Sequence, residues 1–216
     1  MDNRFNPIKN LIDGEGRFIG TIHEKEEAIN AIEDLARNLL GSTLSVRGNK
    51  FIIRLLEIYY GGIGDDAQDF YRSHYVYKNS RYKVHSETQC KEGFRVYLSS
   101  LDLNDTYTRF DIVVGASNVP ASLLIRSVWD SDFHLIGTGQ GSPNIILKAM
   151  GLRAEDHDSI IHWNSREHEI YLEDTGEKIR LEKRLTIKQQ ERINIKSSFE
   201  KKNKLRWNFY LDAQLP

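Results

Sequence analysis

LARNLLGSTLSVRGNKFIIRLLEIYYGG, residues 35–62, holds a helix end, a tight turn and a long apolar strand in that order. Upstream and into this stretch, apolar side chains fall at Ala28, Ile29, Ile32, Leu35, Ala36, Leu39 and Leu40. That i, i+3, i+4, i+7 spacing predicts an amphipathic helix over Glu24–Leu40, and Gly41 stands where a helix C-cap glycine belongs. Strands are predicted at Thr43–Arg47 and Phe51–Tyr60, joined through the hairpin signal Gly48-Asn49. The second strand carries one carboxylate, Glu57, in an otherwise apolar and aromatic run, with Tyr59 two residues later on the same face. A carboxylate there is costly to ionise unless it is paired or used in chemistry. Gly61-Gly62 ends the strand, and Asp65-Asp66 opens the next segment.

Beyond that point, residues 65–91 are polar, rich in tyrosine and without periodicity, which predicts loop. Further strands are expected at Phe94–Ser99, Phe110–Gly115 and Ser122–Trp129. A glycine-rich stretch, Gly137–Gly141, leads to a helix with Ser142 as N-cap, Pro143 at its first position and a stop at Gly151. The remainder reads as β: Glu169–Glu173 and Lys178–Lys183 around the turn Asp174-Thr175-Gly176, then Arg192–Ile195 and Arg206–Leu211. The whole is expected to be one α+β domain over residues 1–216, a curved, mostly antiparallel sheet with flanking helices.

Composition agrees with one globular domain of 216 residues, 39% hydrophobic and 28% charged. Cys90 is the only cysteine, so no internal disulfide can form. The N-terminal MDNRFNPIKNLIDGEG lacks the apolar core of a signal peptide. No apolar run approaches the roughly 18–20 residues that span a bilayer. A cytoplasmic protein is therefore expected. The formal charge of -1 hides an asymmetry: Lys178–Arg206 contains 11 of the 30 basic residues and 3 of the 31 acidic ones. Such a segment fits either a nucleic-acid backbone or a solvated surface.

The order of parts resembles the alkyladenine (3-methyladenine) DNA glycosylase family. There a LAR-x-LLG helix end precedes a strand ending E-x-Y-x-G, whose glutamate activates the hydrolytic water. GFRVYL (Gly93–Leu98) resembles the family strand with a pocket tyrosine, here Tyr97, and ASLLIRSVW (Ala121–Trp129) resembles its apolar strand with an arginine, here Arg126. SPNIILKAMGL (Ser142–Leu152) resembles the family's GP-x-KL-x-x-AL-x-I helix. RINI (Arg192–Ile195) and RWNFYL (Arg206–Leu211) resemble its closing strands. The resemblance covers residues 35–211, and residues 1–23 form an N-terminal extension. It implies a monomeric, metal-independent, monofunctional DNA N-glycosylase of base excision repair. The expected partner is double-stranded DNA with a flipped alkylated or deaminated purine, and no cofactor is expected.

Carried over residue by residue, the resemblance makes Glu57 the general base, with Arg126 beside it as a clamp for phosphate or water. Tyr59 and Tyr97 become stacking walls and Ile193 a further pocket residue. The reading of the residues leaves each open: Glu57 can instead be paired with Arg126 or Arg54, and sheet tyrosines can be core. There are departures too. DDAQDFYR, set against D-P-A-S-H-A-Y-R, puts Asp69 where a base-contacting histidine is usual. Ser100 stands where the family has its wedge tyrosine, and about seven residues (Asp102–Thr108) are inserted after it, making Leu101, Leu103 or Tyr107 candidate wedges. The family asparagine on the next strand is replaced by Asp111 or Ile112. Its GHAGEW loop is KSSFEKK (Lys196–Lys202), so that Lys201, Lys202 and Lys204 become candidate phosphate contacts. These losses also suit a relative that binds nucleic acid or a small ligand without catalysis.

Other chemistry finds no motif. GTGQGSPN (Gly137–Asn144) lacks the Lys-Ser/Thr of a P-loop. The seven histidines show no HExxH or paired-cysteine spacing, no metal site is expected, and His157, His162 and His168 read as surface residues. Neither a G-x-S-x-G elbow nor a base beside Cys90 is present.

Overall fold

The computed structural model describes residues 25–60, 93–114, 121–138, 143–191 and 207–213. The first helix, α1 (Lys25–Leu39), buries Ile32, Leu35, Ala36 and Leu39 along one face. On its outer face Arg37 pairs with Glu33 at 2.8 Å and Asp34 at 3.0 Å. Gly41 follows with φ +86°, the left-handed conformation expected of a residue that ends a helix.

Strands β1 (Thr43–Val46) and β2 (Asn49–Tyr60) form the expected hairpin. The turn is one residue earlier than predicted. Val46 pairs with Asn49, and the central residues are Arg47 and Gly48, at φ +49° and +85°. Two positive φ angles in succession match the twist of the flanking strands, which is why a two-residue turn here takes them both. Arg47 tolerates its strained φ because its guanidinium is tied to Asp156 and lies 3.1 Å from Glu169.

The other strands are β3 (Gly93–Leu98), β4 (Phe110–Val113), β5 (Ala121–Trp129), β6 (Leu135–Ile136), β7 (Ile160–Trp163), β8 (Ile170–Glu173), β9 (Leu185–Gln190) and β10 (Asn208–Ala213). Their order is β6-β5-β4-β3-β7-β8-β1-β2-β10-β9, and β2 also pairs with β5. That extra pairing closes seven strands, β5-β4-β3-β7-β8-β1-β2, into a barrel, so the sheet is more than the curved one expected. All pairings are antiparallel except β7 with β8. Closure satisfies both edges of the ring, which an open curved sheet leaves exposed. Alternate residues of the seven strands join one apolar cluster with α1 and β10, including Leu44, Ile58, Val96, Ile112, Leu123, Ile161 and Leu172.

Helix α2 (Asn144–Met150) adds Ile146, Leu147 and Met150 to that core and ends, as predicted, at Gly151 with φ +70°. Ser142, the expected N-cap, lies outside the described residues, and Pro143 occupies the cap position. The predicted strand over Lys178–Lys183 is a helix, α3 (Gly176–Glu182). Ile179 and Leu181 mimic strand alternation, but after Gly176 the segment is dominated by Glu, Lys, Arg and Leu, which are strong helix formers, with a Lys178–Glu182 pair one turn apart. The strand comes afterwards as β9. Short β6 and β7 were not foreseen, because two to four residues carry too little periodicity to register. Arg192–Ile195 and the loop predicted over 65–91 lie outside the described residues. Among the described residues no helix is long and apolar enough to cross a membrane.

Candidate active site

Pairing between β2 and β5 loses register twice, between Ile53 and Leu55 and again between Leu55 and Leu56. Before the break Phe51 and Ile53 belong to the core; after it Leu56, Ile58 and Tyr60 do. Unbroken alternation would have kept Glu57 on the side of Phe51. The break reverses the parity and turns Glu57 and Tyr59 to the opposite face. On β5 the same irregularity separates Ile125 from Val128 in the core and keeps Arg126 on the face of Leu124.

Register then collects a site on that face. One row runs Asn208, Glu57, Leu124, Asp111, Tyr97 across β10, β2, β5, β4 and β3. The next runs Tyr59, Ser122, Val113, Arg95. Glu57, Tyr59, Tyr97 and Arg126 therefore share one face, and Tyr59, Tyr97 and Val113 pack together apart from the main core. Asp111 lies on this face while Ile112 points into the core.

Glu57 is 0% exposed, and its Oε2 accepts a hydrogen bond from Arg126 Nε at 2.7 Å. Arg126 is 12% exposed at its side chain. Burial works against its charge, but the Glu57 carboxylate outweighs it, and the guanidinium is held above its usual range. Arg54, on β2 itself, donates instead to Ser127 Oγ at 3.2 Å and stacks near Trp129. The second carboxylate oxygen, Glu57 Oε1, is buried and has no hydrogen-bond partner among the described residues.

Tyr59 has the Arg109 guanidinium 5.2 Å from its ring centroid. Burial pushes its phenol well above the ordinary tyrosine value, and the Glu57 carboxylate adds to this. Tyr97 is buried and has the His157 ring 5.4 Å away. His157 Nδ1 accepts the Leu98 N–H at 3.0 Å, which fixes the neutral ring with its proton on Nε2. It is thus a neighbour of Tyr97 and only half-exposed. Ser122 Oγ donates to Asp111 Oδ2 at 3.3 Å.

The other candidates are more dispersed. Ser100 lies at the start of the β3–β4 loop, after Ser99, and accepts the Asp102 N–H on its Oγ. Asp102 and Asp105 each accept a backbone N–H two residues on, so the inserted loop is internally bonded. Tyr107 stands 81% exposed and Leu101 53% exposed, while Leu103 packs on the core. Asp69, Ile193, Lys201, Lys202 and Lys204 lie outside the described residues. Sequence reasoning missed Arg109, Asn208 and His157. Only strand alternation marks Asn208, and nothing local marks the other two.

Two features lie elsewhere. A cleft of about 360 Å³ is lined by Asn38, Asp174, Glu177, Lys178 and Arg180. There Arg180 donates to the carbonyl of Leu40, where α1 ends. Among the described residues one trio, Asp130, Asp132 and His134, brings possible ligand atoms within 4.8 Å of one another. Asp130 Oδ1 already accepts the N–H groups of Asp132 and His134, as a turn aspartate does. Comparison with family models gives no match to this chain, and comparison with curated proteins gives none.

Proposed function

We propose that this protein is a divergent DNA N-glycosylase that hydrolyses the bond between deoxyribose and an alkylated or deaminated purine. The observation that carries the reading is the Glu57–Arg126 pair on a sheet face shared with Tyr59 and Tyr97. Those four positions came from the sequence resemblance, and a carboxylate with one oxygen anchored and one unbonded suits a general base. In the reaction, Glu57 Oε1 takes a proton from water as the water oxygen bonds C1′ of an extruded nucleotide. The C1′–N bond breaks and its electron pair passes to the purine: a cationic alkylated ring becomes neutral, whereas a neutral deaminated ring leaves as its anion and takes a proton from solvent. Arg126 holds Glu57 oriented, and the tyrosines offer faces for the base. No metal or cofactor enters this scheme.

Glu57→Gln tests it. The amide keeps the shape but takes no proton, so duplex affinity should persist while release of hypoxanthine or 3-methyladenine stops. Equal release by mutant and wild type would remove Glu57 from the mechanism.

A second reading has its own support. Glu57 is wholly buried and closed on Arg126, as in an ion pair that specifies structure. On that reading the chain keeps the fold and binds nucleic acid or a small ligand on this face without hydrolysis. Duplex binding by a wild type that releases no base from any damaged substrate would favour it.

A further inference from the structure

Glu57 and Asn208 face each other across β2 and β10, and the hydrogen-bond pattern says how closely. The Ile58 N–H donates to the Trp207 carbonyl at 2.9 Å, which makes Ile58–Trp207 a bonded pair of the ladder. Glu57–Asn208, one step along, is then a non-bonded pair, the kind whose side chains stand closest, with Cβ atoms roughly 4.5–5.5 Å apart. Both residues are 0% exposed. Yet among the described residues Glu57 Oε1 has no partner, nor has either atom of the Asn208 carboxamide. Exchanging the carboxamide oxygen and nitrogen changes nothing, because both are unpaired. Three such buried atoms on two facing residues are rare in a folded interior, where polar groups are almost always bonded.

We propose that Glu57 and Asn208 form a seat for one water molecule, in which Asn208 is the positioning residue. The seat is chemically complementary to water. The carboxamide nitrogen donates to the water oxygen, and the water donates one hydrogen to Glu57 Oε1 and can donate the other to the carboxamide oxygen. Arg126 keeps the opposite carboxylate oxygen occupied, so the water meets only Oε1. Resting on the glycosylase reading, this water is the nucleophile, and Asn208 sets where its oxygen stands relative to C1′. The seat itself does not depend on that reading.

Two measurements separate them. A high-resolution crystal structure of the wild type should show an ordered water about 2.7–3.2 Å from both Glu57 Oε1 and the Asn208 carboxamide. In Asn208→Leu, which keeps the volume, that water should be lost. A direct Glu57–Asn208 hydrogen bond with no water between them would overturn the proposal, as would a water that persists unchanged in Asn208→Leu. In single-turnover assays on a hypoxanthine-containing duplex, Asn208→Leu should release base about 100-fold more slowly. Its affinity for an abasic-analogue duplex should stay within about twofold, so that the loss falls on the chemical step and not on binding. Asn208→Ser, which retains a hydroxyl, should fall between the two and serves also if the leucine variant misfolds. An unchanged rate in Asn208→Leu would overturn the positioning role. If the wild type releases no base, the glycosylase reading fails, and the electron density still decides the seat.

Discussion

Glu57 and Arg126 are joined at 2.7 Å beside the two successive breaks where β2 and β5 slip out of register. The bond links residues 69 apart in the chain and sits on the seam that closes the barrel. Structure and chemistry therefore share the same two side chains, and the first prediction separates them.

Removing one partner of a buried ion pair leaves an uncompensated charge, at a cost of about 3–5 kcal/mol. Arg126→Ala should lower stability by that amount in urea titrations. Replacing both residues with leucine should recover most of it, because no charge is then stranded. A loss below about 1 kcal/mol in the single mutant would mean that water reaches Glu57 freely.

The partly buried Tyr59 gives stability a dependence on alkaline pH. Its folded phenol lies above the ordinary 10.0 because of burial first and the Glu57 carboxylate second. A raised folded value means stability that is fully present below pH 10 and lost as pH climbs beyond it, since the unfolded phenol releases its proton first. Wild-type stability should fall more steeply than that of Tyr59→Phe above pH 10. Parallel curves for the two proteins would show that Tyr59 titrates normally.

Gly41 and Gly48 have nearly the same backbone angle, with φ of +86° and +85°, in different surroundings. A Cβ on Gly41 would meet the Gly176 carbonyl oxygen at 3.0 Å, whereas one on Gly48 meets nothing within 4 Å. Gly48→Ala should cost only the left-handed strain, about 1–2 kcal/mol. Gly41→Ala adds overpacking between two backbones and should cost roughly 3 kcal/mol or more. Equal denaturation midpoints for the two variants would contradict the close approach of α1 and α3.

For the basic segment the prediction concerns salt. If Lys201, Lys202 and Lys204 neutralise phosphates, changing all three to Ala should flatten the slope of log affinity against log salt by up to roughly 3 units. The loss should be uniform across sequences. Titrations of an abasic-analogue duplex at several salt concentrations measure it, and an unchanged slope would place the phosphate contacts elsewhere.

Local signals were the legible part of this fold. The period of α1, the glycines at 41, 48 and 151, and the apolar runs of β2, β3 and β5 mark their elements directly. So is the shared face of Glu57 and Tyr59, which needs only their spacing. What stayed hidden is non-local. Nothing between Phe51 and Glu57 announces the parity reversal, because the slip exists only against β5. Ring closure depends on a pairing between distant segments, and Asn208 gains meaning only opposite Glu57. In Gly176–Glu182 the two apolar residues alternate like a strand, and helix propensity won.

The seam between β2 and β5 also bears on how the chain reaches its native state. Local hairpins can form early, but a pairing over so long a stretch of chain must wait for much of its entropy to be spent. Until it forms, Glu57 and Arg126 are apart and hydrated, and two strand edges lie open to other molecules. A nascent or partly unfolded chain therefore has neither the charged pair nor protection from self-association, and it gains both in one event.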